Sequence, residues 1–93
     1  MDYQFEWDNE KDLENQKKHN VTFTTAVLAF ADDYYVIADD PKHSLEESRY
    51  FCYGIVEDKV LTVRFTYRNN KIRIFGAAYW REGTKIYAKE NNL

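Results

Sequence analysis

The chain has 93 residues, a formal net charge of −3, 44% hydrophobic and 17% aromatic content, which suits one compact core and argues against a disordered chain. No apolar run approaches the roughly 20 residues that span a bilayer, and the start, MDYQFEWDNEK, has no basic region followed by an apolar stretch, so neither a membrane segment nor a signal peptide is expected. The lone Cys52 leaves no partner for an internal disulfide, and no Cys/His cluster has zinc spacing. The expectation is a single domain over residues 1–93, cytoplasmic, without metal or other cofactor.

In chain order, FEW at 5–7 predicts a short first strand. Asp8 is a good N-cap for a helix over DNEKDLENQKKH, with acidic residues at its start and Lys17, Lys18 and His19 at its end, as the helix dipole favours. Leu13 is its one strong hydrophobe, so this helix is expected at the edge of the fold, and Asn20 is a plausible C-cap. Thr22 or Thr24 then caps a second helix, in which Phe23, Ala26, Val27 and Phe30 share a core-directed face. Asp32-Asp33 ends it, YYVIA at 34–38 predicts a strand, and DDPKHSLEES at 39–48 is a polar turn.

Three strands follow: 50–56, 60–68 and 71–78, joined by Glu57-Asp58 and by Asn69-Asn70, a two-residue hairpin loop suited to positive φ. A C-terminal helix is predicted over about residues 80–90, with Gly83 as a weak point inside it. The order is β-α-α-β-β-β-β-α, an α+β fold with two N-terminal helices and a C-terminal helix against an antiparallel sheet. Cys52, in YFCYGIV, is read as a buried small hydrophobe.

Charge is segregated along the chain. Residues 1–58 hold five Lys/Arg against fourteen Asp/Glu, and residues 59–93 hold eight against two. Strand alternation sends Leu61, Val63, Phe65 and Tyr67 one way and Thr62, Arg64, Thr66 and Arg68 the other. The short loop pairs Arg68 with Lys71 and Thr66 with Arg73, so Arg64, Arg68, Lys71 and Arg73 share one polar face. Like charges across strands cost stability, and their clustering points to a negative partner: an external polyanion or the chain's own carboxylates.

Three stretches carry a resemblance: FEWDNEKDLENQKKHNVTFTTAVLAFAD, then HSLEESRYFCYG, then FTYRNNKIRIFGAAYWREGTKIY. In order and spacing they resemble the BrnT family of bacterial type II toxins, with its FEWD–K–N–KH–V–F–A–F–D pattern, an HS–E–R segment, a T–R pair and an R-I hairpin strand before a C-terminal helix. The resemblance implies a RelE-like fold, a ribonuclease that arrests translation, and a partner antitoxin, BrnA, of ribbon-helix-helix type. Toxin and antitoxin would form a hetero-oligomer that represses its own promoter, meeting operator DNA only through the antitoxin. Many members have an arginine where this chain has Ala78, so that residue's role is not carried over; Arg81 is the nearest arginine.

Metal-independent RNA cleavage needs a base for the 2′-hydroxyl, an acid for the leaving oxygen and positive charge at the phosphorane. His43 and Glu47, four residues apart, are the candidates for proton transfer, and Arg68, Arg73 and Arg81 for clamping phosphate. Lys18, His19, Arg49 and Lys71 are candidate RNA contacts, with Tyr79 and Trp80 as stacking surfaces for unpaired bases. Plainer readings stand beside these: His43-Ser44 as a turn, Lys18-His19 as dipole compensation, Glu47 and Arg49 as an ion pair, and Trp7 and Trp80 as packing. A non-catalytic module that only binds antitoxin and supports autoregulation is the alternative function.

Overall fold

A computed structural model describes residues 3–93. Its elements are β1 (Phe5–Glu6), α1 (Asn9–His19), α2 (Phe23–Ala26) running into a 3-10 segment (Val27–Ala31), β2 (Val36–Asp39), a 3-10 turn (Pro41–His43), β3 (Tyr50–Val56), β4 (Lys59–Arg68), β5 (Lys71–Ala78) and α3 (Arg81–Glu90). The five strands form one sheet in the order β1-β5-β4-β3-β2, antiparallel except where β1 joins β5 in parallel. This is the α+β architecture expected, and it is consistent with a RelE-like fold. The second helix is the main local departure: it tightens to 3-10 geometry after Ala26, and β2 begins at Val36 rather than Tyr34.

Both hairpin turns are set by residues that tolerate the left-handed region. Glu57 and Asp58 have φ of 54° and 67°, and Asn69 and Asn70 have 53° and 63°, the paired positive values that match the right-handed twist of the flanking strands. The second turn places Arg68 opposite Lys71 and Thr66 opposite Arg73, as alternation predicts. Beyond Phe65 the register slips at a bulge, so Arg64 lies opposite Gly76 instead of Phe75. Phe75 is the extra residue. Bulges re-aim side chains in this way beside functional sites.

One face of the sheet packs on α2, the 3-10 segment and α1. Phe23, Phe65, Leu61, Ile72, Ile74, Val63 and Cys52 are fully buried there, each large aliphatic or aromatic side chain contributing about 1.5–3 kcal/mol by burial. Burial pushes the Cys52 thiol well above its ordinary value, so it stays a neutral packing group. Gly54 is required by close approach, because a Cβ there would collide with the Ala29 carbonyl of the 3-10 segment.

The capping of α1 follows expectation, with Asp8 accepting from the Glu10 N–H at 2.8 Å and Asn20 in the left-handed region at φ 57°. Its anchoring does not. Leu13 is 59% exposed, and the buried residue of the helix is Asn15 at 7%. The Asn15 amide donates to the carbonyls of Val21 and Ala77, both at 2.9 Å, and accepts from the Ala77 N–H at 3.1 Å. It pairs with β5 as a strand would, past the point where β1 ends. A buried amide is costly unless its bonds are made; here they are made, so α1 docks by hydrogen bonding rather than by an apolar stripe.

Asp32 ties three elements together. Its carboxylate accepts from Tyr87 Oη of α3 at 2.6 Å, from the Ile55 N–H at 2.8 Å and from the Tyr34 N–H at 3.0 Å. Burial pushes its pKa up, but the bonds from Ile55, Tyr87 and Tyr34 outweigh that, and the net value lies below the ordinary 3.8. A carboxyl whose folded pKa is depressed stabilises the fold above its unfolded pKa and loses that contribution as pH falls through the folded value. Asp32→Ala is therefore expected to destabilise by about 2 kcal/mol at pH 7, with the difference shrinking below pH 3.8. Urea melts at pH 7 and pH 3 check this, and an equal difference at both would show that the ionised carboxylate is not what stabilises.

Candidate functional site

The other face of the sheet is divided. α3 covers the β3–β4 end through Tyr53, Val60 and Tyr87. Phe51 packs at the edge of that cluster, and beyond it lie Arg64, Arg68, Arg73 and Phe75, bordered by the segment from Asp40 to Arg49.

That segment is held in a fixed shape by hydrogen bonds. The Asp40 N–H donates to the Arg49 carbonyl at 2.8 Å. Ser44 Oγ donates to the Asp40 carbonyl at 2.7 Å and accepts from the Arg49 N–H at 2.9 Å. Thr66 Oγ1 on β4 donates to the Ser48 carbonyl at 2.6 Å. Pro41 opens the 3-10 turn, and this turn brings His43 Nδ1 to 2.9 Å from Asp40 Oδ2. Asp40 is 4% exposed, whereas the His43 side chain is 50% exposed. A carboxylate can only accept, so Nδ1 carries the proton that meets Asp40, which leaves Nε2 as the ring nitrogen available to a ligand. A buried acid that fixes the tautomer and orientation of an accessible imidazole is the arrangement of an oriented general base.

The arginines fall into two groups. Arg68 donates to both Glu47 oxygens at 2.8 and 2.9 Å. Arg49 reaches the same carboxylate at 3.3 Å and lies 3.9 Å over the Phe75 ring. Arg68, foremost, holds the Glu47 carboxyl below its ordinary value, which makes Glu47 a weak base. Arg73 pairs with Glu6 at 3.0 Å. The acidic half of the chain thus neutralises part of the basic end. Arg64 is different: half-buried in mid-strand, it forms no ion pair among the described residues.

Arg64 borders two hollows. One, about 430 Å³, is lined by His43, Phe51, Tyr53, Thr62, Arg64, Trp80, Glu82, Gly83 and Ile86. The second, about 130 Å³, is lined by Lys11, Glu14, Asn15, Lys18, His19, Arg64, Phe75, Gly76 and Trp80. Trp80 stands between them, 38% exposed, with its ring edge-to-face on His19 at 5.4 Å. A third hollow of about 290 Å³, shared by His43, Glu47 and Arg49, continues beyond His43. Together they form a groove with an imidazole, a guanidinium, an indole and a basic helix end in sequence.

Of the residues singled out from sequence, His43, Trp80, Lys18 and His19 line this groove, and Glu47, Arg49 and Arg68 form a linked cluster at its His43 end. Arg73 stands apart with Glu6, Lys71 is exposed at the hairpin tip, and Arg81 is exposed at the start of α3. Tyr79 turns the other way: it packs on the inner core, its hydroxyl donates to the Val56 carbonyl at 3.4 Å, and the Lys59 ammonium lies 5.1 Å from its ring. Sequence reasoning passed over Asp40 and Glu82, and it placed Arg64 on the polar face but left it out of the site because it matches no family motif. The i, i+3 spacing of Asp40 and His43 around Pro41 was a usable signal for the first. Alternation put Arg64 on the outer face, but its position opposite Gly76 depends on the bulge in β5, which had no signal. Among the described residues, no three His, Cys, Asp or Glu side chains converge as a metal site, and no helix is long and apolar enough to cross a membrane.

A family model described as the ribonuclease toxin BrnT of type II toxin–antitoxin systems matches residues 7–83. No curated protein matches the chain. The matched span takes in the Asp40–His43 turn, all of β2 to β5 and the first turn of α3, which together build the groove. The chain therefore belongs to the BrnT family of ribonuclease toxins of type II toxin–antitoxin systems, whose members imply a cognate antitoxin and an RNA substrate.

Proposed function

We propose that this chain cleaves single-stranded RNA without a metal ion in the groove bordered by His43, Arg64 and Trp80, and that this cleavage arrests translation in the cytoplasm. The carrying observation is that His43, oriented by buried Asp40, shares a hollow with Arg64, which forms no ion pair among the described residues. His43 Nε2 takes the proton of a ribose 2′-hydroxyl, the 2′-oxygen attacks phosphorus, and the bond to the 5′-oxygen breaks as that oxygen takes a proton from solvent. A 2′,3′-cyclic phosphate and a 5′-hydroxyl result. Arg64 donates to the non-bridging oxygens, where charge grows in the transition state. Trp80 offers a stacking face and Lys18 and His19 a cationic track for the strand. Glu47, Arg49 and Arg68 brace the loop that carries His43, and Arg73, Arg81 and Lys71 add to the field drawing RNA in.

An antitoxin that silences this groove must cover its cationic side, which calls for acidic residues. A BrnA-like ribbon-helix-helix protein, bringing the complex to its operator, fits that requirement. Purified chain freed of antitoxin is expected to cut a single-stranded oligoribonucleotide at the same rate with and without EDTA and to leave a cyclic phosphate end. Loss of cleavage on chelation would remove the metal-independent step.

A non-catalytic role is the second reading, favoured by Ala78. This residue is buried opposite Thr62 on β4, so no guanidinium can be supplied there. A chain that neither cuts RNA nor arrests growth when expressed without antitoxin would establish that reading.

A further inference from the structure

The hollow of about 430 Å³ extends past His43 and Arg64 toward the first turn of α3, and what it holds there rests on the RNA-cleavage reading above. Its walls are aromatic: Phe51 and Tyr53 stand ring to ring, 5.9 Å apart and 28° from parallel, with Trp80 close by. Gly83 lets α3 sit low on the sheet, because a Cβ there would run into the Thr62 hydroxyl and lie 3.1 Å from the Tyr53 ring. Thr62 Oγ1 is buried in this wall and has no hydrogen-bond partner among the described residues. Glu82, one of two acidic residues in 59–93, reaches the same hollow and forms no ion pair among the described residues. Its charge lies near enough to Tyr53 to raise that phenol's pKa, after burial itself.

An aromatic-walled slot with one carboxylate, beside an unpaired guanidinium, has the makeup of a nucleobase site. The base lies on the aromatic faces, one edge is hydrogen-bonded, and the attached phosphate meets the arginine. The carboxylate selects the base, because it can only accept. Guanine presents two parallel donors, N1–H and N2–H, that match two carboxylate oxygens. Adenine sets an acceptor beside its amino group, uracil flanks its single N–H with carbonyls, and cytosine offers one amino group beside an acceptor. We propose that this hollow is a guanine subsite in which Glu82 reads N1–H and N2–H, so that RNA is cut beside an unpaired guanine.

The test uses five oligoribonucleotides that differ in one central unpaired base: guanine, adenine, cytosine, uracil or inosine, which lacks the N2 amino group. Wild type is expected to favour guanine over adenine by about tenfold or more in kcat/KM, with inosine in between. Glu82→Gln is expected to bring the guanine-to-adenine ratio close to one. A wild-type ratio near one overturns the proposal, as does a Glu82→Gln chain that keeps the wild-type ratio. Where a chain cuts none of the five, the same ratios are read from fluorescence-anisotropy binding of their uncleavable 2′-O-methyl forms. Tighter guanine binding that Glu82→Gln removes then supports the subsite even if cleavage fails, and equal binding of all five overturns it.

Discussion

Replacing Arg64 by Ala is expected to lower kcat/KM on single-stranded RNA by about 10²- to 10³-fold, the scale seen when one donor to a developing oxyanion is removed. The argument is electrostatic. A guanidinium already held by a carboxylate has its donors occupied and its charge offset, as Arg68 is by Glu47 and Arg73 by Glu6. Arg64 has neither handicap among the described residues and lies between two hollows lined by candidate RNA contacts. Arg73→Ala and Arg68→Ala are accordingly expected to cost less than about tenfold in rate, and each to cost roughly 1 kcal/mol or less in stability for a partly exposed pair. Arg64→Lys keeps the charge and loses the planar fork, so it should recover only part of the rate. Added guanidinium should partly rescue Arg64→Ala, a response that a merely structural defect does not give. The salt dependence of RNA binding by Arg64→Ala should flatten by about 0.7 in log–log slope, the share of one phosphate contact on a single strand. If Arg73→Ala proves the more damaging variant, the phosphate site lies at the β1–β5 edge and not in the groove.

His43→Ala is expected to lower the rate by about 10²- to 10⁴-fold, the usual range for a positioned general acid–base group. The fold should be little affected, because the side chain is half exposed and its one hydrogen bond is to Asp40. Exogenous imidazole should restore part of the activity to His43→Ala and none to Arg64→Ala. Asp40→Asn separates orientation from chemistry. Asn can turn its NH2 instead of its oxygen toward Nδ1, so the tautomer is no longer fixed while His43 itself remains, and a loss smaller than that of His43→Ala but larger than tenfold is expected. A full-rate His43→Ala chain would move proton transfer elsewhere, with Glu82 next in line, since it shares the hollow and lacks an arginine partner.

The separation between readable and unreadable features follows the range of the forces involved. Caps at Asp8, Thr22 and Asn20, the two hairpin turns and the buried face of β4 all depend on residues within a few positions of one another, and each was legible in sequence. The anchoring of α1 was not. One strong hydrophobe, Leu13, pointed to an edge helix with little to bury, and nothing local showed that Asn15 docks it by bonding to Ala77, 62 positions away. Family resemblance located the toxin class from residue order alone, and the family match over residues 7–83 established it.

By itself the sequence determined the α+β element order, the strand alternation and the gathering of arginines on one polar face. It did not decide which arginine is available, because that depends on carboxylates brought in from distant segments: Glu6 from β1 to Arg73, and Glu47 from the loop before β3 to Arg68. Nor did it show that a bulge after Arg64 sets this residue opposite Gly76, where its side chain meets the groove. Local spacing specifies faces and turns, whereas pairing of charges is a property of the folded sheet, and only the tertiary structure separated Arg49, Arg68 and Arg73, which meet carboxylates, from Arg64, which lines the groove and is unpaired among the described residues.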